Sequence, residues 1–532
     1  MSAATRTVGR YVIETLAANG VDIAFGIPGV HNIELYRGLD SGRVRHVLAR
    51  HEQNAAFAAD GFARVSGRVA AVFVISGPGL TNALTAIAQA ASDSVPMLVI
   101  ASTPVRASLG RRWGVLHELA DQRAVAAGAA GLALHANSAA ELRAHLAAAF
   151  AYLGGARPRP VYLGIPLDLL AEATILEPER YARTHSAPPA PAAAIGAARA
   201  LLERAQRPLI VAGGGARHAG AALTALLDAV DGYLVTTTAG KGVIPESHPG
   251  NLGASLPYRA TQELMAAADV VLAVGTELAE TDVYTTTRLS FPGRLIRIDI
   301  DAAQLGTDAA AAVTIHADSR AALEALTPAL PAHRGWRSAA GDVRATRLAI
   351  EAQIGAHWRA ALSAVRALRA AVPPDGVVFS DMTQIAYTGN YAFGADRPGS
   401  WFHPCGYGTL GFALPAAIGA RIAAPRRPII ALAGDFGLQF TLQELMTAVE
   451  LQLPLPIVVW NNEALAQIRD DMLAGGIEPV GVAGRNPDFQ AFAAACGARG
   501  LRVRGPDALV EGVRAALGAR GPTLLEAHHA DF

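Results

Sequence analysis

The chain has 532 residues, more than one ordinary hydrophobic core can organise, so two to four domains are expected. Hydrophobic residues make up 52% and charged residues only 17%, with zero formal net charge; this leaves nucleic-acid binding without electrostatic support and points to heavily buried elements and a large subunit interface. No apolar run is long enough to span a bilayer, Met1–Thr15 lacks the apolar core of a secretory signal, and two cysteines, Cys405 and Cys496, cannot build a disulfide framework, so a cytoplasmic protein without membrane contact is expected.

In chain order, apolar runs alternate with Ala-rich helical stretches. Ala70–Ser76 reads as a buried strand, Thr81–Ser92 as a helix and Met97–Ser102 as a strand, with Val161–Ile165 closing the first block. Ala187–Ala194 is Pro-rich and reads as an extended linker. Pro208–Ala212, Val270–Val274 and Leu295–Ile300 read as buried parallel strands, each followed by Gly or Asp. An Ala/Arg-rich stretch, Trp336–Ala371, reads as helical and leads into a third alternating block. The fold class is therefore α/β, with three doubly wound parallel-sheet domains over residues 1–175, 195–330 and 345–532. Lys241 is the only lysine; the arginine and alanine bias reads as codon usage in a GC-rich bacterial genome.

The most informative stretch is Ile429–Asn462. An apolar run ends in Gly434-Asp435, a helix follows, and a second apolar run ends in Asn461-Asn462. Such a βαβ unit places hard oxygen ligands at the carboxyl ends of two strands, where they suit Mg²⁺ holding a diphosphate. Either half alone reads as a turn or a loop; the spacing and strand contexts join them.

This unit resembles the cofactor motif of thiamine-diphosphate (ThDP) enzymes. The resemblance implies ThDP and Mg²⁺ as cofactors, with Asp435, Asn462 and the carbonyl of Ala464 on the metal, and Gly434, Phe436, Gly437 and Leu465 around the diphosphate. Arg50-His51-Glu52 and Ala59-Asp60-Gly61-Phe62-Ala63-Arg64 resemble the family's first-domain signature, which implies that Glu52 hydrogen-bonds the pyrimidine N1′ and favours the tautomer able to take the thiazolium C2 proton. Alone, a glutamate at a helix start would read as dipole decoration. Ser76–Asn82 resembles the Gly-Pro-Gly loop, placing Gly77, Pro78 and Asn82 near the pyrimidine. Gly408–Phe412 resembles the segment that puts Leu410 under the bent cofactor. Lys241–Pro249 resembles the middle domain's turn. Gly213-Gly214-Gly215 lacks an acidic residue at ribose-binding distance, so it reads as a tight turn and FAD is not expected.

Within the family, Phe25–Leu39, Leu116–Arg123, Gly437–Leu442 and Ile477–Val482 resemble acetolactate-synthase-like proteins, in particular 5-guanidino-2-oxopentanoate (2-ketoarginine) decarboxylases. The resemblance implies a small 2-oxo acid substrate, catalytic roles for His31, His117 and Gln122 beside Glu52, and self-association as a homodimer or homotetramer whose sites lie between subunits. A guanidino tail would need a carboxylate, with Glu118 and Asp121 as candidates. Two departures stand out: Phe436 replaces a glycine, and Gln467 stands where related decarboxylases often have an acid. The expected reaction is non-oxidative decarboxylation to an aldehyde; the alternatives are carboligation of the acetolactate-synthase type and a catalytically silent scaffold.

Overall fold

The computed structural model describes residues 6–155, 157–181, 187–283, 289, 291–307, 310–330, 336–337, 343–355 and 358–532. Three parallel sheets follow one another along the chain. The first has six strands in the order Arg45–Leu48, Ile23–Gly26, Ala71–Val74, Leu98–Thr103, Val161–Pro166 and Leu132–His135. The second has five: Tyr233–Thr236, Pro208–Ala212, Val270–Val274, Arg294–Asp299 and Val313–His316. The third has six: Trp401–Phe402, Val377–Ser380, Ile429–Gly434, Pro456–Asn461, Thr523–His528 and Arg499–Val503.

Alternate residues of the strands enter separate cores. In the first sheet Val72 and Val74 pack on one side, Ala71 and Phe73 on the other. In the third, Ile429, Ala431 and Ala433 face one core and Ile430 and Leu432 another. Since side chains alternate along a strand, this division places apolar cover on both faces, which explains why these strands read as continuous apolar runs. Among the described residues no helix is long and apolar enough to cross a membrane.

One of these cores is shared by the first and third sheets. Its centre is a crossing between helices Glu52–Ser66 and Ala413–Ala423. A Cβ on Gly61 would lie 1.9 Å from the Ala416 carbonyl oxygen, and one on Gly419 would lie 1.8 Å from that of Ala58. Only glycine permits this approach. The register, Gly61 on Ala416 and Ala58 on Gly419, runs the two helices in antiparallel sense. At one end, the Arg64 guanidinium sits 5.3 Å from the Phe412 ring centre. At the other, Glu444 accepts from the Arg50 backbone N–H (2.6 Å) and from Asn54 Nδ2 (3.1 Å).

The second unit docks on the third through Lys241, whose buried Nζ donates to Glu246 Oε1 (3.2 Å) and the Asn390 carbonyl (2.8 Å). Two sequence expectations need correction. The Pro-rich linker is extended only to Pro191, because helix Ala192–Arg204 begins inside it; residues 182–186 lie outside the described residues. The stretch Trp336–Ala371 is not one helix: Val343–Gln353 and Arg359–Ala371 are separate, and residues 338–342 and 356–357 lie outside the described residues.

Candidate active site

The carboxyl edge of the third sheet carries one cluster. Strand Ile429–Gly434 ends directly in helix Asp435–Gln439, so Asp435 is lodged at the strand-to-helix turn with 2% of its surface exposed. Its Oδ2 accepts from the Glu463 backbone N–H (2.8 Å) and from Asn486 Nδ2 (2.7 Å). Burial raises the Asp435 pKa, while Asn486 and backbone N–H groups oppose the rise. Among the described residues no cation forms an ion pair with this carboxylate. A buried, uncompensated carboxylate fits a divalent cation.

The two asparagines separate by face. Asn461 turns inward: Nδ2 donates to Glu526 Oε1 (2.7 Å), and Oδ1 accepts from Glu463 N (3.1 Å) and Asn486 Nδ2 (2.9 Å). Asn462 is half-buried and donates from Nδ2 to Gln384 Oε1 (3.2 Å), which leaves its amide oxygen for a ligand. Ala464 is buried and bridges Ala483, and Leu465 N donates to the Val482 carbonyl at 2.7 Å. Among the described residues no three His, Cys, Asp or Glu side chains converge to hold a metal, so a cation here would rely on amide and carbonyl oxygens and on its ligand's phosphates.

The turn itself is sterically tight. A Cβ on Gly434 would come within 2.8 Å of Thr383 Oγ1, and one on Gly437 within 3.1 Å of Asp381 Oδ2. Phe436 is accommodated because its ring turns out against Gly484, where a Cβ would lie 2.8 Å from Cζ. Asp381, fully buried at the end of strand Val377–Ser380, accepts from the Gly411 backbone N–H on both oxygens (3.0 and 2.9 Å). Burial pushes its pKa up to about 6 against the pull of the N–H groups of Met382, Gly411, Phe412 and Ala413. Gly408 and Gly411 adopt φ of +69° and +85°, which frames Leu410 at a half-buried position.

The second cluster lies on the first sheet. Glu52 opens helix Glu52–Ser66, capped by the His51 side chain, and its Oε2 accepts from Asn82 Nδ2 (3.0 Å). Glu52 is half-buried and Asn82 exposed. Pro78 is the first residue of helix Pro78–Ser92, and Gly77 before it has φ +62°. The Gly77 N–H donates to Gln122 Oε1 (2.9 Å), while Gln122 Nε2 donates to the Ser102 carbonyl and Tyr162 Oη (2.9 Å each). Gln122 is thus committed to holding the Gly77 turn.

His31 and His117 meet edge to face with ring centres 4.9 Å apart. His31 Nδ1 pairs with Ser76 Oγ, and burial, then the neighbouring His117, lowers the His31 pKa. His117 adopts φ +63°, its carbonyl occupies the space a Gly77 side chain would need, and its Nδ1 is buried with no hydrogen-bond partner among the described residues. Glu118 Oε2 accepts from the Gly114 N–H (2.8 Å) and its Oε1 is buried without a partner, whereas exposed Asp121 caps the Ala124 N–H (2.9 Å). In the middle unit, the N–H groups of Gly213 and Gly215 are taken by the carbonyls of Val274 (2.9 Å) and Gly275 (3.0 Å), so this glycine run is closed by its neighbouring strand.

Sequence reasoning missed Asp381, Gln384 and Asn486. Asp381 carried the same signal as Asp435, an acid directly after an apolar run. Asn486 carried none, because its partners lie in other segments.

Three family models match the chain: the N-terminal TPP binding domain of thiamine pyrophosphate enzymes over residues 6–125, their central domain over 195–326 and their C-terminal TPP binding domain over 381–527. A Pseudomonas aeruginosa protein named "Probable 2-ketoarginine decarboxylase AruI" is 48% identical, the match covering 99% of this chain and 94% of that protein. The Escherichia coli acetolactate synthase isozyme 1 large subunit is 30% identical over 87% of this chain and 83% of its own. The Methanocaldococcus jannaschii protein named "Probable acetolactate synthase large subunit" is 28% identical over 97% and 90%. The three α/β units, their matching models and these near full-length likenesses give one conclusion: the chain belongs to the family of thiamine pyrophosphate (thiamine diphosphate) enzymes.

Proposed function

We propose that this chain is a ThDP- and Mg²⁺-dependent, non-oxidative decarboxylase of a 2-oxo acid, with 2-ketoarginine as the leading substrate. The observation that carries the reading is the 48% identity, over 99% of the chain, to a relative named for that reaction. Domain limits of 1–175, 195–330 and 345–532, and a cytoplasmic setting, belong to the same proposal.

Asp435, the Asn462 amide oxygen and the Ala464 carbonyl would hold the metal, with Gly434, Phe436, Gly437 and Leu465 along the diphosphate. Gly408 and Leu410 would support the bend of the cofactor, and Glu52, Gly77, Pro78 and Asn82 its pyrimidine. When bound, ThDP supplies a carbon nucleophile at thiazolium C2 and an electron sink for the pair left when CO₂ departs. Converting R–CO–COO⁻ to R–CHO and CO₂ consumes one proton. His117 Nδ1, buried and without a partner among the described residues, is the ring atom available to move it, and His31, whose pKa burial lowers, lies against that ring. Gln122 acts by holding the Gly77 turn.

The site is shared between two copies in this reading. The antiparallel crossing at Gly61 and Ala416 supports it. At 1.5 Å per residue, Glu52 lies roughly 13 Å from that crossing in one direction. The start of the partner helix, with Leu410 just before it, lies toward Arg64 in the other. Exposed apolar residues border both half-sites: Val30, Ile33, Trp113 and Leu116 near the histidines, Phe440, Ile468 and Val480 near the motif. A homodimer, or a homotetramer built from two such dimers, would cover them.

The test is a panel of 2-oxo acids incubated with ThDP and Mg²⁺, following CO₂ and product. The aldehyde one carbon shorter than 2-ketoarginine is the expected product. Acetolactate from pyruvate would move the assignment to carboligase, which the acetolactate synthase relatives make the second reading. No heat of ThDP binding in calorimetry would point to a silent scaffold.

A further inference from the structure

The segment Gly481–Asn486, without regular secondary structure, is fastened to both ends of the metal motif. Val482 accepts from Leu465 N, Ala483 bridges Ala464, and Gly484 carries the Phe436 ring. Asn486 makes the last connection. Its Nδ2 donates to Asp435 Oδ2 (2.7 Å) and Asn461 Oδ1 (2.9 Å), and its Oδ1 accepts from Gln439 Nε2 (3.0 Å).

We propose that Asn486 is a positioning residue for the metal site, and that Phe436 is the packing half of the same device. This rests on the ThDP–Mg²⁺ reading above. The hydrogen bonds from Glu463 N (2.8 Å) and Asn486 Nδ2 (2.7 Å) both fall on Oδ2, which fixes that oxygen within the protein and turns Oδ1 toward a cation, while the Phe436 and Asp435 N–H groups add to the pull on the carboxylate. An amide orients a carboxylate without adding positive charge; an Arg or Lys there would compete with the metal. The same Nδ2 draws the Asn461 oxygen inward, which keeps that residue out of the ligand set and leaves Asn462 to face the site. The Phe436 ring, where the family motif has glycine, turns away from the Gly434–Asp435 turn and against Gly484. It anchors the segment that carries Asn486, and Gly484 is the position that makes room for it.

The test measures the Mg²⁺ concentration needed for half-maximal ThDP retention on ultrafiltration, a readout independent of turnover. Asn486→Ala is expected to raise it by roughly 10–100-fold, with kcat at saturating Mg²⁺ and ThDP within about threefold of wild type. Asn486→Asp, which turns an acceptor toward two oxygens, is expected to raise it further. Gly484→Ala should raise it too, by pushing on the Phe436 ring, and adding Phe436→Gly should restore part of the loss. If the alanine variant does not fold, Asn486→Ser, which keeps one donor, carries the comparison and should fall between. A wild-type Mg²⁺ requirement in a folded Asn486→Ala or Asn486→Ser protein overturns the inference, as does a fall in kcat with that requirement unchanged. Wild-type protein that fails to retain ThDP with Mg²⁺ overturns the parent reading and this inference together.

Discussion

The two half-sites are built to different degrees of completion. Around Asp435 the carboxylate is buried and touched by Glu463 and Asn486, and its neighbours are tied to Gln384, Gln439 and Glu526. Around Glu52 the carboxylate is half-buried and, among the described residues, has one side-chain hydrogen-bond partner, the exposed Asn82. The Asp435 cluster is therefore assembled within one chain, whereas the Glu52 cluster is an open surface. A carboxylate that must act on a ring nitrogen needs a dry setting, because water would screen it. The open half gains that setting only when something covers it, and the exposed apolar residues around the histidines suit a second copy.

Breaking the assembled half should have the largest effect. Asp435→Ala removes the central carboxylate, and the expected loss in Mg²⁺-dependent ThDP affinity exceeds about 100-fold, measured by calorimetry. Retention like wild type would mean Asp435 is not a ligand. Breaking the open half should act on chemistry instead. Glu52→Gln keeps size and the Asn82 contact but loses the charge; kcat should fall by roughly 10²–10⁴-fold with ThDP affinity and folding little changed. Near-normal turnover would remove Glu52 from the reaction.

Mixing the two inactive variants sharpens the comparison. If each site joins the first unit of one chain to the third unit of its partner, random exchange should restore about one quarter of wild-type activity, because half the dimers are mixed and each regains one of two sites. Confirmed exchange without recovered activity would put both half-sites in one chain.

The same contrast explains what could be read from the sequence. Strands Pro208–Ala212 and Val270–Val274 were legible to the residue because continuous apolar runs bounded by turn residues specify buried parallel strands. Helix limits were less legible. Alanine favours helix wherever it occurs, so neither the start at Ala192 inside a Pro-rich stretch nor the interruption after Gln353 was visible. The βαβ unit joining Gly434-Asp435 to Asn461-Asn462 was legible because its ends close neighbouring strands. Asn486 and Asp381 were not, because their bonds to Asp435 and Gly411 span 51 and 30 residues and depend on how segments pack rather than on local pattern.

The smallest expected effect concerns stability, and it tests how finely the assembled half is balanced. Asp381 has its pKa raised from 3.8 to about 6 by burial. The sign follows from proton binding. Between these two values the folded chain keeps a proton that the unfolded chain has released. The resulting stabilisation is complete below the unfolded value and is lost as pH rises through about 6. The gap corresponds to at most roughly 3 kcal/mol. Asp381→Asn is neutral at every pH and retains one oxygen for the Gly411 N–H. It should therefore resemble wild type near pH 4 and become progressively more stable than wild type toward pH 7.5, as read by denaturant unfolding of the cofactor-free protein. A stability difference that stays flat across this range would mean that the surrounding N–H groups fully compensate the ionised carboxylate. The Gly408–Gly411 loop would then be held by a charge from about pH 4 upward, and Leu410 would be fixed in place before any cofactor arrives.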